Sequence, residues 1–391
     1  MQSRSTRIIR STLALLLLAA AATAAHAQFD IEDSLTTADL RGIHSVGNGI
    51  AWASGTDGTV LRTEDGGYEW QPCTTPPGAE HLDFRGIQAF DENTAVVMSS
   101  GKGDLSRLYK TTDGCRTWKL VFTNPDKEGF WDALQFVPGT GREAGRVGYL
   151  AGDPVHGSFA EFITYNYGQS WAPIEAGVGA LGPARNGEAM FAASNSSFQL
   201  LRGTPVIVTG GTTSRLREVA LHVKHDPRIS YEFVGGEIPL QHAESAGAFS
   251  FSAKLGPDSV AKPDIAKFIE KPTHVGDILV AVGGNYQKPD DARGTAAVSS
   301  DGGNNWSPAQ TPPHGYRSSV AYDSAHATWI TVGPNGSDYS TDDGRNWHPL
   351  KPGPNQPPDA DKNWNALSLP FVVGPHGRIG RLRDDAIPAK P

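Results

Sequence analysis

Cysteine is nearly missing from this sequence: two, Cys73 and Cys115, in 391 residues. So few exclude a scaffold built on disulfides, and no C-x-x-C pair offers a zinc or redox centre. The two either form a single bridge or stay apart as small buried residues. Long apolar runs are missing too. After the run from Leu13 to about Ala25, nothing approaches the roughly 18 consecutive apolar residues that a membrane helix needs. Charge is scarce, at 19% Asp, Glu, Lys and Arg, and leans acidic with a formal net charge of -8. That balance argues against nucleic acid as the main partner. Catalytic signatures are absent: no G-x-S-x-G elbow, no H-E-x-x-H, no G-x-x-x-x-G-K-[ST] and no strand-then-helix glycine fingerprint. The 12 histidines, His81, His156, His225, His242 and His274 among them, are scattered without metal-ligand spacing. No cofactor and no metal site is expected.

What is there begins with a leader. Arg4, Arg7 and Arg10 precede the apolar run, and Ala25-His26-Ala27 follows as an A-x-A cleavage site. Residues 1–27 therefore read as a signal peptide, and the missing twin-arginine pair argues for Sec-type export of an unfolded chain. The mature chain, 28–391, is expected in the periplasm or outside the cell as a monomer. Its formal charge is -11, because the leader removes three arginines and no acids.

Glycine (45) and proline (28) are plentiful, and short alternating runs replace helical periodicity. Such a chain is all-β and dense in turns. One octapeptide returns five times: "TEDGGYEW" at 63–70, "TTDGCRTW" at 111–118, "TYNYGQSW" at 164–171, "SSDGGNNW" at 299–306 and "STDDGRNW" at 340–347. The acid or amide in third place accepts backbone N–H groups in a tight turn, and glycine in fifth place supplies a positive φ. The tryptophan in eighth place buries its ring as the next strand starts. Asp65, Asp113, Asn166, Asp301 and Asp342 are thus turn-holders, and Trp70, Trp118, Trp171, Trp306 and Trp347 are core. A worn copy, "KHDPRISY" at 224–231, makes six.

A second repeat gives the count. "LRGIHSV" at 40–46, "FRGIQAF" at 84–90, "WDALQFV" at 131–137, "GEAMFAA" at 187–193, "SAGAFSF" at 245–251, "YRSSVAY" at 316–322 and "WNALSLP" at 364–370 share one pattern. Each has a polar residue, a small residue, then alternating apolar positions, as an innermost strand beside a narrow channel requires. A period in the forties with four strands per unit predicts a seven-bladed β-propeller. The seventh unit lacks an outer strand, and "FDIEDS" at 29–34 is expected to supply it, closing the ring. One domain is expected over 28–391, with an insertion at about 255–275 in blade five.

Boxes of the form S/T-x-D-x-G-x-T-W resemble the Asp-box, or bacterial neuraminidase repeat. With "SRLYKTTDG" and "VGPNGSDYSTDDG", the mature chain resembles the photosystem II stability/assembly factor-like group of exported seven-bladed propellers. The resemblance implies a non-catalytic scaffold that recognises an envelope or secreted protein.

The expected site lies on the face where the inner strands begin. The residues before the small positions form a ring: Arg41, Arg85, Asp132, Glu188, Ala246, Arg317 and Asn365. Loops on that side add Lys102, Asp104, Asp153, His156, Asn285, Tyr286, Asn335, Asp338 and His376. Arginine forks suit the carboxylates of a ligand or a partner's tail, and Tyr286 adds a flat contact. Facing charges in such a ring also pair simply to satisfy their burial. The alternative function is a glycoside hydrolase, sialidase-like or xyloglucanase-like, or a glycan-binding propeller. In a hydrolase Asp132 and Glu188 would be the two carboxyl groups flanking the bond; in the scaffold no residue is catalytic.

Overall fold

Alternating runs broken every few residues by Gly, Asn or Asp leave no length for helices. Among the described residues the only helical element is one 3-10 turn, Gly103–Leu105. This computed structural model describes residues 28–139, 142, 144–174, 180–222, 230–256, 276–354 and 356–387. The strands form a seven-bladed β-propeller. The inner strands of blades one to three are Leu40–Gly47, Phe84–Ala89 and Trp131–Phe136. That of blade four is Phe198–Leu201, and those of blades five to seven are Ala243–Lys254, Ser319–Asp323 and Ala366–Ser368. Each inner strand leads into three antiparallel neighbours. Phe29–Glu32 closes blade seven, running antiparallel to Ile379–Leu382 with Phe29 opposite Leu382. Inner strands of successive blades touch, and blade seven meets blade one.

A four-stranded blade buries neither face by itself, so the core lies between blades. Seven apolar clusters straddle the seven junctions. Trp70 packs against Phe371 of blade seven at 5.5 Å between ring centroids, and Trp171 meets Phe136 at 5.7 Å. Trp70, Trp118, Trp171 and Trp347 are buried and Trp306 half-buried, each in such a junction.

The five octapeptide turns share one hydrogen-bond pattern. In the first, the Thr63 hydroxyl donates to Asp65 Oδ1 (2.9 Å) and accepts from the Gly67 amide (3.1 Å), while the Glu69 amide donates to Asp65 Oδ1 (3.1 Å). Asp113, Asn166, Asp301 and Asp342 hold their turns in the same way. The fourth position has a positive φ as well as the fifth, and side chains occupy it twice, at Tyr167 (φ 61°) and Asp343 (φ 60°). Cys115, in fifth place of the second turn, is bonded to Cys73 (Cα–Cα 5.3 Å) and ties blade one to blade two.

Blade four departs from the pattern predicted for it. Only Glu188–Ala189 of "GEAMFAA" is strand, paired with Gly210–Gly211. The chain then leaves the sheet and returns at Phe198–Leu201. Gly210–Gly211 in turn pairs with the inner strand of blade five, which makes one six-stranded sheet across that junction. The leader, most of the 255–275 insertion and most of the worn box at 224–231 lie outside the described residues.

Candidate functional site

The polar residue that opens each of the first three inner strands is the extra residue of a β-bulge. The register steps from Leu40 to Gly42, from Phe84 to Gly86 and from Trp131 to Ala133, so Arg41, Arg85 and Asp132 lie unpaired between. A bulge re-aims its side chain, and of the three Arg41 and Arg85 stay part-exposed while Asp132 is buried. The small neighbour is required by space. A Cβ on Gly42 would stand 2.5 Å from Ser54 Oγ, and one on Gly86 2.9 Å from Asn195 Oδ1.

That asparagine belongs to the segment that leaves blade four. Residues 190–197 cross the channel, bonded to blades two, three, five and six. The Asn195 side chain accepts from the Leu134 amide (2.8 Å) and donates to its carbonyl (3.0 Å) in blade three. Ser194 Oγ donates to the Ser318 carbonyl (2.8 Å) and Ser196 Oγ to Ser250 Oγ (2.7 Å), reaching blades six and five. Arg85 Nη1 donates to the Ala192 carbonyl (3.2 Å), and Asp153 Oδ1 accepts from the Met190 amide (2.9 Å). Phe191 stacks on Phe249 of blade five, centroids 3.9 Å apart. The channel is therefore a cup floored by 190–197.

The nominated residues divide by what holds them. Arg41 and Arg85 share one carboxylate: Arg41 Nε lies 3.0 Å from Asp83 Oδ1 and Arg85 Nε 2.8 Å from Asp83 Oδ2. Both arginine side chains stay 29% exposed, with Asp39 a further 3.9 Å from Arg41. Tyr286 stands 49% exposed at the rim. Asp132 is buried beneath the segment. Burial pushes its pKa well above the usual carboxylate range, the neighbouring Asp153 adds to that, and Arg85 opposes it. Burial raises Asp153 too, against the pull of the Met190 amide.

The remaining nominees are engaged within the protein. Glu188 takes Arg215 Nε (2.9 Å), the Thr209 hydroxyl (2.7 Å) and the Arg185 amide (2.8 Å). Burial would raise Glu188, but those bonds outweigh it and hold its pKa below the ordinary value. Arg317 is fully buried, donating to Asp338 (2.8 Å) and Asn335 Oδ1 (2.6 Å), with His314 on the other Asp338 oxygen (2.8 Å). Asn285 accepts from the Ser245 hydroxyl (2.9 Å), and Asn365 donates to the Leu40 carbonyl (2.8 Å). Ala246 is buried. Lys102 pairs with Glu128 (2.6 Å) and His156 faces Asp126 (3.7 Å), while His376 faces Asp39 (3.9 Å), the carboxylate that also neighbours Arg41. Asp104 lies near Arg107 at 3.9 Å. Asp132 and Glu188 thus present no pair of free carboxyl groups to a substrate.

Sequence reasoning missed Asp83, Phe191, Phe249 and Tyr316. Asp83 immediately precedes "FRGIQAF", and a carboxylate beside a mouth arginine was its only signal. Tyr316 stands in the first position of its copy, where Phe84, Trp131 and Trp364 are core, and Phe249 and Phe191 share the fifth, so nothing in the pattern marked them out.

Neither a scan of protein-family models nor a search of curated proteins finds a match to this chain. Solved structures do match. YCF48 bound to D1 peptide aligns with a TM-score of 0.56 at 17% identity, over 91% of this chain and 97% of that one. YCF48 from Cyanidioschyzon merolae aligns at 0.50 and 15% identity, over 92% and 100%. The computationally designed Ika8 protein aligns at 0.50 and 9% identity, over 92% and 100%. At such identities the likeness is one of fold: over nine-tenths of its length this chain is built like YCF48.

Proposed function

We propose that the chain is a non-catalytic binding propeller, exported to the periplasm or beyond. It holds a protein partner at the channel mouth in the manner of an assembly factor. The observation that carries this is the pair Arg41 and Arg85, half-exposed at the floor of a closed cup and sharing Asp83. A guanidinium with spare donors in a concave, partly desolvated place selects carboxylates. The likeness to YCF48, whose structure carries a D1 peptide, lends the fold to such use. The hydrolase alternative loses ground because its two carboxyl groups are engaged or buried.

Cross-linking in the native envelope tests the reading, with wild type set against Arg41→Gln and Arg41→Glu/Arg85→Glu. A partner captured by wild type, weakly by the single variant and not by the double one is expected, with capture fading as salt rises. Equal capture by all three forms, with melting temperatures alike, overturns it.

A further inference from the structure

One wall of the cup is aromatic, and Phe249 is its hub. Phe249 stands at a register shift between Ala248 and Ser250, which turns its ring out of the strand's alternation. Phe191 stacks on it at 3.9 Å and 8°. Tyr316 meets it edge-on at 4.8 Å, and Tyr286 at 6.1 Å. Three rings around a fourth make a rigid wall, because each packs against the hub and loses rotamer freedom on folding rather than on binding.

Two polar groups in that wall lack acceptors. Tyr316 is 6% exposed, yet its hydroxyl donates to none of the described residues. The hydroxyl oxygen is not sealed from solvent, so its proton is a donor open to an incoming acceptor. Burial holds this phenol protonated and Tyr286 acts in the same direction, with Arg85 opposing, so it serves as a donor at any physiological pH. Arg85, the cation that acts on that hydroxyl, gives its Nε to Asp83 and its Nη1 to Ala192, which leaves Nη2 without a partner among the described residues. The crossing segment closes the cup from below. Both donors are open to an acceptor arriving from above, and a carboxylate suits the arginine best.

We propose that Arg85, Tyr316, Tyr286 and Phe191 form a subsite for a two-residue feature of a protein partner, an Asp or Glu next to an aromatic or long apolar residue. The carboxylate sits between Arg85 Nη2 and the Tyr316 hydroxyl. The neighbouring side chain lies against the rings of Tyr286 and Phe191. This rests on the reading of the mouth as a protein-binding site and adds to it a rule of specificity: acid alone is not enough.

The test is an array of peptides carrying every pair of residues in a fixed Gly-Ser frame, probed with the mature chain and then followed by fluorescence anisotropy. Acid–aromatic pairs should bind best. Tyr316→Phe removes one hydroxyl and no packing. It should weaken acid–aromatic peptides about tenfold, as losing a hydrogen bond to a charged group does, and leave the amide counterparts unchanged. Tyr286→Ala, at an exposed ring, should erase the preference for an aromatic over an alanine neighbour. If acidic peptides bind and respond to Arg41→Gln but not to either tyrosine variant, the subsite is overturned and the protein-binding reading stands. If no peptide binds, or a uronic-acid oligosaccharide binds in their place, both are overturned.

Discussion

Asp113 shows how much a single turn depends on one carboxylate. The Thr117 hydroxyl (2.6 Å) and amide (3.0 Å) and the Thr111 hydroxyl (2.9 Å) all donate to it. The Thr117 hydroxyl does most to hold its pKa down at about 2, from an ordinary 3.8. An acid whose folded pKa lies below its unfolded value adds stability that is complete above the unfolded value and lost as pH falls through the folded one. The window for this turn therefore runs from about pH 4 down to about pH 2. The third turn is an internal control, since Asn166 stands in the same place, bonded to Ser170 at 2.8 Å and 3.1 Å, and does not titrate. Asp113→Asn should therefore differ most from wild type near pH 5 and converge on it toward pH 2, read as denaturation midpoints. A gap that stays constant across that range would mean the carboxylate is not held by its threonines.

At the scale of the element, the segment 190–197 decides whether the propeller has a pore or a cup, and one glycine makes room for it. A Cβ on Gly210 would collide with the Phe191 ring and stand 2.9 Å from the Ala246 carbonyl oxygen. Gly210→Ala should cost about 1–3 kcal/mol, as overpacking does, and should loosen Phe191 from Phe249. Thermal melting reads the first effect, and weaker binding of acid–aromatic peptides the second. A variant that melts and binds like wild type would place the crossing segment elsewhere. This segment also marks the boundary of what was legible in the sequence. The octapeptide turns were readable because every bond that makes them lies within eight residues. Seven blades were readable because the inner-strand pattern recurs seven times and the turn five times, however uneven the stretches between copies. "GEAMFAA" follows the same pattern and predicts a continuous strand, but Asn195 is drawn to Leu134 and Ser194 to Ser318 by bonds spanning 61 and 124 residues. Local pattern has no access to bonds of that span. The same limit hid the pairing of Arg317 with Asp338 and of Glu188 with Arg215, while Arg41 and Arg85 were found because a bulge leaves its mark beside a small residue.

A ring is stable only if it closes, and here the first described strand closes it at the last blade. Phe29 is fully buried, its ring 5.6 Å from Trp364, in the cluster between blades six and seven. Its strand hides the edge of Ile379–Leu382, which would otherwise be open to pairing with another chain. The junction of blades one and two has a covalent tie instead, the Cys73–Cys115 bridge across 42 residues of chain. The two closures act differently. The bridge limits the unfolded chain, and a loop of this length is worth about 4 kcal/mol on that account. Phe29 fills a junction, and Phe29→Ala should cost about 3–5 kcal/mol through lost burial and the cavity left behind. Loss of the bridge should lower the melting point and leave the association state as it is in wild type, because no sheet edge is uncovered. Loss of Phe29 loosens the strand that covers an edge, so Phe29→Ala should add concentration-dependent association to the lower melting point. Light scattering beside calorimetry on Cys73→Ser and Phe29→Ala separates the two. Association by both variants, or by neither, would show that the N-terminal strand does not guard the edge it covers.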